Sequence, residues 1–192
     1  MKKSVKGTKT EKNLLASFAG ESQARNRYTY FASVAKKEGF EQISAIFTET
    51  ADNEKEHAKR FFKFLEGGAV EITAMYPAGV IGSTHENLKA AAQGEKEEHS
   101  MLYPAAAKVA DEEGFPEIAA CFRLIAEVEA HHEARYVMLA ENLENERVFQ
   151  KDFPIRWKCR NCGYVYEGKV ALETCPACLH PKAYMEVLSD NF

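Results

Sequence analysis

Two short runs in this sequence have the residue types and spacing of metal ligands: Glu54-Lys-Glu-His57 and Glu129-Ala-His-His132. Each sets a carboxylate and an imidazole three residues apart, so on a helix both project from one face. Each run is preceded by another glutamate, Glu21 lying 33 residues before Glu54 and Glu95 lying 34 before Glu129. Oxygen and imidazole donors suit iron, manganese or zinc. Four helices that point this set inward would hold two divalent ions, and a redox-active pair would supply the two electrons that cleave an O–O bond.

The helices that must position these groups are legible from periodicity. Residues 10–37 read as the first helix, with Leu14, Phe18, Glu21, Arg25, Tyr28 and Ala32 along one stripe. The second runs from about 41 to 66 and ends at Gly67-Gly68. Residues 69–83 lose the period and contain Pro77, Gly79 and Gly82, as expected of a long crossover rather than a tight turn. The third helix starts at Ser83 or Thr84 and runs to about 113, with Pro104 expected to kink or loosen it. The fourth extends from Pro116 to about 145.

The halves repeat each other. At an offset of 75, Glu38-Gly39-Phe40 matches Glu113-Gly114-Phe115, Glu54 matches Glu129, His57 matches His132 and Tyr28 matches Tyr103. Gly20-Glu21 matches Gly94-Glu95 at an offset one shorter, a slip that one residue of helix irregularity absorbs. Carboxylates buried together without cations would each cost several kcal/mol, so a matched set on apolar stripes implies metals. A fifth carboxylate, Glu98, brings the ligand charge to −5. Against it, two ferrous ions, or two ferric ions with an oxo bridge, each leave one net negative charge. Glu98 is therefore expected to favour the oxidised pair and to leave one ligand free to come and go. Tyr28 and Tyr103 are placed to hydrogen-bond the ligating carboxylates or to pack in the core.

After a connector the vocabulary changes to aromatics, glycines and cysteines. Cys159-Arg-Asn-Cys162 and Cys175-Pro-Ala-Cys178 form a four-thiolate tetrahedral pattern that suits iron or structural zinc. The expected organisation is residues 1–147 as the bundle, 148–154 as connector and 155–192 as a small β-rich metal module. The fifth cysteine, Cys121, reads as a buried structural thiol. The chain is mildly acidic, with a net charge of −4, and shows neither a basic face for nucleic acid nor an apolar run for a membrane span. With no export signal, the expected compartment is a reducing cytoplasm. Lys2, Lys3, Lys6, Lys9 and Lys12 read as a solvated, partly frayed start.

Taken together, the run Gly20-Glu-Ser-Gln-Ala-Arg-Asn-Arg-Tyr28, the two Glu-x-x-His pairs, Gly94-Glu95-Lys-Glu-Glu98 and the paired cysteines resemble the rubrerythrins, over essentially the whole chain. The resemblance implies a mainly α, ferritin-like four-helix bundle with a long crossover, followed by a rubredoxin-like module. It implies two non-haem irons, oxo-bridged when oxidised, held by Glu21, Glu54, His57, Glu95, Glu98, Glu129 and His132, with Glu54 and Glu129 as bridges. Glu98 and His57 would alternate as ligands with redox state. One further iron would sit on Cys159, Cys162, Cys175 and Cys178. The implied activity is reduction of hydrogen peroxide to water by a homodimer, with electrons from an NAD(P)H-dependent reductase or rubredoxin passing through the four-cysteine iron. The rival readings are a ferroxidase or iron-handling protein, an oxygen-reducing oxidase, and a zinc-stapled binding protein in which the bundle is only scaffold.

Overall fold

In the computed structural model residues 3–190 are described; Met1, Lys2, Asn191 and Phe192 lie outside them. Thr8 starts helix α1 (Lys9–Lys37): its backbone is extended and its side chain accepts the Glu11 N–H. The helix stops before Gly39, whose φ of 85° turns the chain into α2 (Glu41–Phe62). Helix α2 ends four residues short of expectation. The N–H groups of Phe64 and Leu65 reach back only three residues, to Phe61 and Phe62, and this tightened turn closes the helix. After an irregular segment, Ser83 and Glu86 form a reciprocal capping box on α3 (Thr84–Glu97). A π-turn (Glu98–Leu102) leads into α4 (Tyr103–Glu112), and α5 (Pro116–Glu144) completes the helices.

Two buried apolar clusters explain the direction of each helix. Leu14, Phe61, Tyr103 and Phe122 belong to one cluster, and Tyr28, Phe47, Leu88 and Tyr136 to the other. Along every long rod a glutamate sits between a residue of one cluster and a residue of the other: Leu14–Glu21–Tyr28, Phe47–Glu54–Phe61, Leu88–Glu95–Tyr103 and Phe122–Glu129–Tyr136. Helix α1 therefore runs from the first cluster to the second and α2 returns. The α3–α4 rod runs the same way as α2, so residues 63–83 must travel back along the bundle, which is the expected crossover.

The one-residue slip between halves has a physical carrier. Glu21 to Tyr28 spans seven residues and Glu95 to Tyr103 spans eight, and the π-turn at 98–102 takes up the extra one. Pro104, which has no N–H to donate, follows directly and starts the regular helix again.

The repeated Glu-Gly-Phe turns tie the halves together. Glu113, between α4 and α5, accepts the N–H groups of Lys9 at 3.1 Å and Thr10 at 2.8 Å, covering the start of α1. Glu38, between α1 and α2, accepts the Thr84 N–H at 2.9 Å at the start of α3. Each half thus caps the first helix of the other. Glu38→Ala and Glu113→Ala are each expected to lower the thermal midpoint by roughly 2–4 °C, and the double variant to lower it further. A scanning calorimeter checks this.

The expectation of a frayed amino terminus fails from residue 3 onward. Val5 packs in the cluster with Leu14 and Phe115, its N–H and the Ser4 hydroxyl bond Glu66, and the Lys3 ammonium donates to the Glu113 carbonyl. Val5 and these hydrogen bonds together dock the segment.

The carboxy-terminal module is a three-stranded antiparallel sheet of order β2-β1-β3, from β1 (Gln150–Cys159), β2 (Val165–Val170) and β3 (Met185–Val187). Strand β1 begins inside the stretch expected as connector; its register with β2 is irregular between Gln150 and Ile155, around Pro154. Buried Trp157 donates its indole N–H to the Gly168 carbonyl. Phe149 stacks on Phe40 with ring centroids 5.9 Å apart, joining the module to the α1–α2 turn.

Candidate metal centres

Of the seven bundle residues expected as ligands, six come together. Glu21, Glu54, His57 and Glu129 form one group and Glu54, Glu95, Glu129 and His132 a second, with donor atoms inside each group within 4.8 Å of one another. Glu54 and Glu129 belong to both. The duplication is visible as a local two-fold arrangement. His57 Nδ1 lies 2.8 Å from Glu54 and 2.9 Å from Glu129, and His132 Nδ1 lies 2.8 Å from Glu129 and 3.2 Å from Glu54. The seventh residue, Glu98, stands outside both groups at the start of the π-turn and is half-buried.

The donors are buried and under-satisfied in a way that fits cations. Glu21, Glu95 and Glu129 have no exposed surface and Glu54 has 1%. Tyr103 donates its hydroxyl to Glu21 Oε1 and Tyr28 to Glu95 Oε1, both at 2.5 Å, so each tyrosine serves the glutamate of the other half. The second oxygens, Glu21 Oε2 and Glu95 Oε2, have no hydrogen-bond partner, nor do Glu54 Oε1, either Glu129 oxygen or His132 Nδ1. A buried oxygen without a donor is costly, and a pair of divalent ions between the two groups satisfies the whole set at once. The protein alone neutralises it only in part. Burial opposes ionisation of Glu54, yet contacts from His132 and His57 outweigh it and hold the carboxyl down at about 2. Burial likewise opposes the charged imidazoles, but the facing glutamates raise His57 to about 10 and His132 to about 12. Burial, with the charges of Glu54 and Glu129 outweighing the contact from His132, pushes Glu95 up to about 8.

Tyr28 and Tyr103 therefore hydrogen-bond the buried glutamates as well as filling the core, since both rings belong to the apolar clusters. Tyr103→Phe is expected to weaken iron binding at the bundle by roughly 10–100-fold with little change in fold. Competition with a graded chelator reads this directly.

In the module all four cysteine sulfurs lie within 4.8 Å of one another. Cys159 and Cys178 Sγ are 3.7 Å apart and Cys162 and Cys175 Sγ 3.6 Å apart. A disulfide needs about 2.05 Å, whereas the edge of a tetrahedron with metal–sulfur bonds of about 2.3 Å is about 3.8 Å. The site is shaped for a metal ion. Each cysteine pair forms a turn in which a following N–H returns to the first cysteine's carbonyl, Gly163 to Cys159 and Leu179 to Cys175. The His180 backbone pulls the Cys178 thiol down, while hydrogen bonding with Cys178 helps push Cys162 up, so the two thiols titrate as a pair. Cys121 lies on α5, buried and apart from both centres.

Two neighbours of the site escaped the sequence reading. Gly20 and Tyr76 face each other beside Glu98, and Tyr76 donates its hydroxyl to the Ala16 carbonyl at 2.6 Å, tying the crossover to α1. The signal was a glycine inside a long helix, which needs a packing or functional reason. His99, at the second position of the π-turn, pairs its Nε2 with Glu133 at 2.5 Å. No helix among the described residues is long and apolar enough to cross a membrane.

Comparison with known proteins agrees with this geometry. The rubrerythrin family model matches residues 12–140, and the model for the rubrerythrin rubredoxin-like domain matches residues 157–186. The chain is 64% identical to the rubrerythrin of Porphyromonas gingivalis, covering 100% of this chain and 96% of that protein. It is 58% identical to the rubrerythrin of Nitratidesulfovibrio vulgaris, covering 99% and 100%. The solved structure of fully reduced, all-ferrous nigerythrin superposes with a TM-score of 0.63 at 31% identity, covering 96% of this chain and 92% of that one.

Proposed function

This chain belongs to the rubrerythrin family, with a ferritin-like di-iron bundle and a rubredoxin-like four-cysteine module, and we propose that it reduces hydrogen peroxide to water. The family makes it an iron-dependent oxidoreductase. The reaction consumes one peroxide, two electrons and two protons and releases two waters. Electrons would come from an NAD(P)H-dependent reductase or a rubredoxin, in a cytoplasmic homodimer, and an iron held by Cys159, Cys162, Cys175 and Cys178 would supply one-electron chemistry.

The observation that carries this reading is one chain holding two carboxylate–histidine groups that share Glu54 and Glu129, together with a four-thiolate site. Glu21 and His57 would complete one iron position and Glu95 and His132 the other. When bound, the pair supplies two one-electron equivalents and Lewis acidity toward an O–O bond. The protein's own part is positional. Tyr103 and Tyr28 each hold one oxygen of a terminal glutamate, and the other oxygen stays buried without a hydrogen-bond partner. The apolar clusters on both sides exclude bulk water, so these dipoles act at low dielectric. We assign Glu98 and His57 as the residues that alternate with redox state; here His57 lies within the ligand set and Glu98 outside it.

The attached module is what disfavours iron storage, which needs no one-electron relay. Anaerobically reduced protein mixed with one equivalent of hydrogen peroxide should reoxidise much faster than with dioxygen. Equal or faster reaction with dioxygen, or a mineral core after ferrous loading, would overturn the reading in favour of an oxidase or a ferroxidase.

A further inference from the structure

Glu98 is the one carboxylate among the expected ligands with appreciable solvent exposure; Glu21, Glu54, Glu95 and Glu129 have 0–1%. Glu98 is only partly buried and lines a cleft of about 320 Å³ between α1, the π-turn and crossover residues 74–77. Tyr103, whose hydroxyl holds Glu21, forms part of the same wall. The cleft therefore ends on two groups belonging to the di-iron centre and opens outward beside Met75, which is 98% exposed.

Small residues line it where α1 faces the crossover. Gly20 and Gly94, each the residue before a ligating glutamate, both line it. A glycine inside a helix is less favourable than alanine, so two at equivalent positions need a reason. A Cβ on Gly20 would stand 3.5 Å from the Tyr76 ring and 4.0 Å from Glu98 Oε1, in contact with both; one on Gly94 would stand 3.6 Å from the Arg27 guanidinium. The Tyr76 ring is fixed opposite Gly20 by its hydrogen bond to Ala16. Tyr76 belongs to the crossover, a segment without helix or strand, so widening the passage disturbs no regular element.

We propose that peroxide enters through this cleft and that the Tyr76–Gly20 pair sets the largest hydroperoxide admitted. Hydrogen peroxide passes and bulky alkyl hydroperoxides are held back. The inference rests on the peroxidase reading above, and its test separates the two.

Three probes are applied to the full-length, iron-loaded protein: hydrogen peroxide, tert-butyl hydroperoxide, and azide as an unreactive ligand whose binding is followed optically. Tyr76→Ala should raise the ratio of tert-butyl to hydrogen peroxide reoxidation rates at least about tenfold, the lower end of what a methylene-sized change in a pocket commands. Gly20→Ala should move that ratio the other way and slow azide binding. Iron per chain and the thermal midpoint of the metal-free protein should show that both variants remain folded and loaded. If Tyr76→Ala loses iron, Tyr76→Leu must raise the ratio in its place. An unchanged ratio and unchanged azide kinetics in loaded variants would overturn the cleft, while fast reoxidation of the wild type by peroxide would leave the peroxidase reading standing. Azide kinetics that respond to the variants in a protein inert to peroxide would establish the cleft and overturn the peroxidase reading.

Discussion

Glu129→Ala is expected to leave one iron per chain where the wild type, with two bundle positions and one four-cysteine site, holds three. Glu129 belongs to both bundle groups, is fully buried and lies within 2.9 Å of both His57 and His132. Removing it opens both iron positions together. Reoxidation by peroxide should fall by more than the roughly 100-fold that losing a hydrogen-bond partner of a metal ligand costs. Glu127→Ala supplies the control, since Glu127 lies exposed on the same helix two residues away and should leave all three irons in place. Metal analysis with the visible spectrum decides it, and three irons in the Glu129 variant would remove Glu129 from the ligand set.

The second large effect separates the electron path from the reacting centre. Cys175→Ala takes one of four thiolates from a module whose small core is Trp157, Cys159, Ala171, Cys175 and Met185. So few apolar residues do not hold a fold without metal. The module is expected to lose its iron and its ordered sheet, and turnover driven by NAD(P)H and a reductase should fall below detection. The bundle has its own two clusters and should keep its thermal midpoint and two irons. Chemically reduced bundle should therefore still be reoxidised once by peroxide. NAD(P)H-driven turnover at the wild-type rate would show that electrons enter the bundle without the module.

Much of this was legible because the chain states it twice. One Glu-x-x-His on a helix carries little meaning, but Glu54–His57 and Glu129–His132 at a fixed offset, each on an apolar stripe, define a shared interior. The slip between Glu21 and Glu95 even signalled the π-turn, although its consequence was not readable. The added residue places Glu98 at the start of that turn, where the first half has Ala24 at the offset that pairs Glu21 with Glu95. Glu98 stands beside the ligand groups rather than in them. The end of α2 was misjudged because Phe64 continues the apolar period, and only backbone geometry distinguishes a last helical turn from a tightened one. The role of Tyr76 was hidden for a different reason. The crossover has no period, and its tyrosine gains meaning only through a contact with Ala16, 60 residues away.

The reciprocal capping by Glu113 and Glu38 also bears on how the protein is made. The carboxylate that completes the start of α1 lies 104 residues beyond Lys9. At about 5–20 residues per second that interval is roughly 5–20 s of synthesis. During it the Lys9 and Thr10 N–H groups lack their acceptor, and Glu21, Glu54 and His57 lack their partners on α5. Docking cannot finish until the second hairpin has left the ribosome, so the order of translation makes the first half wait for the second.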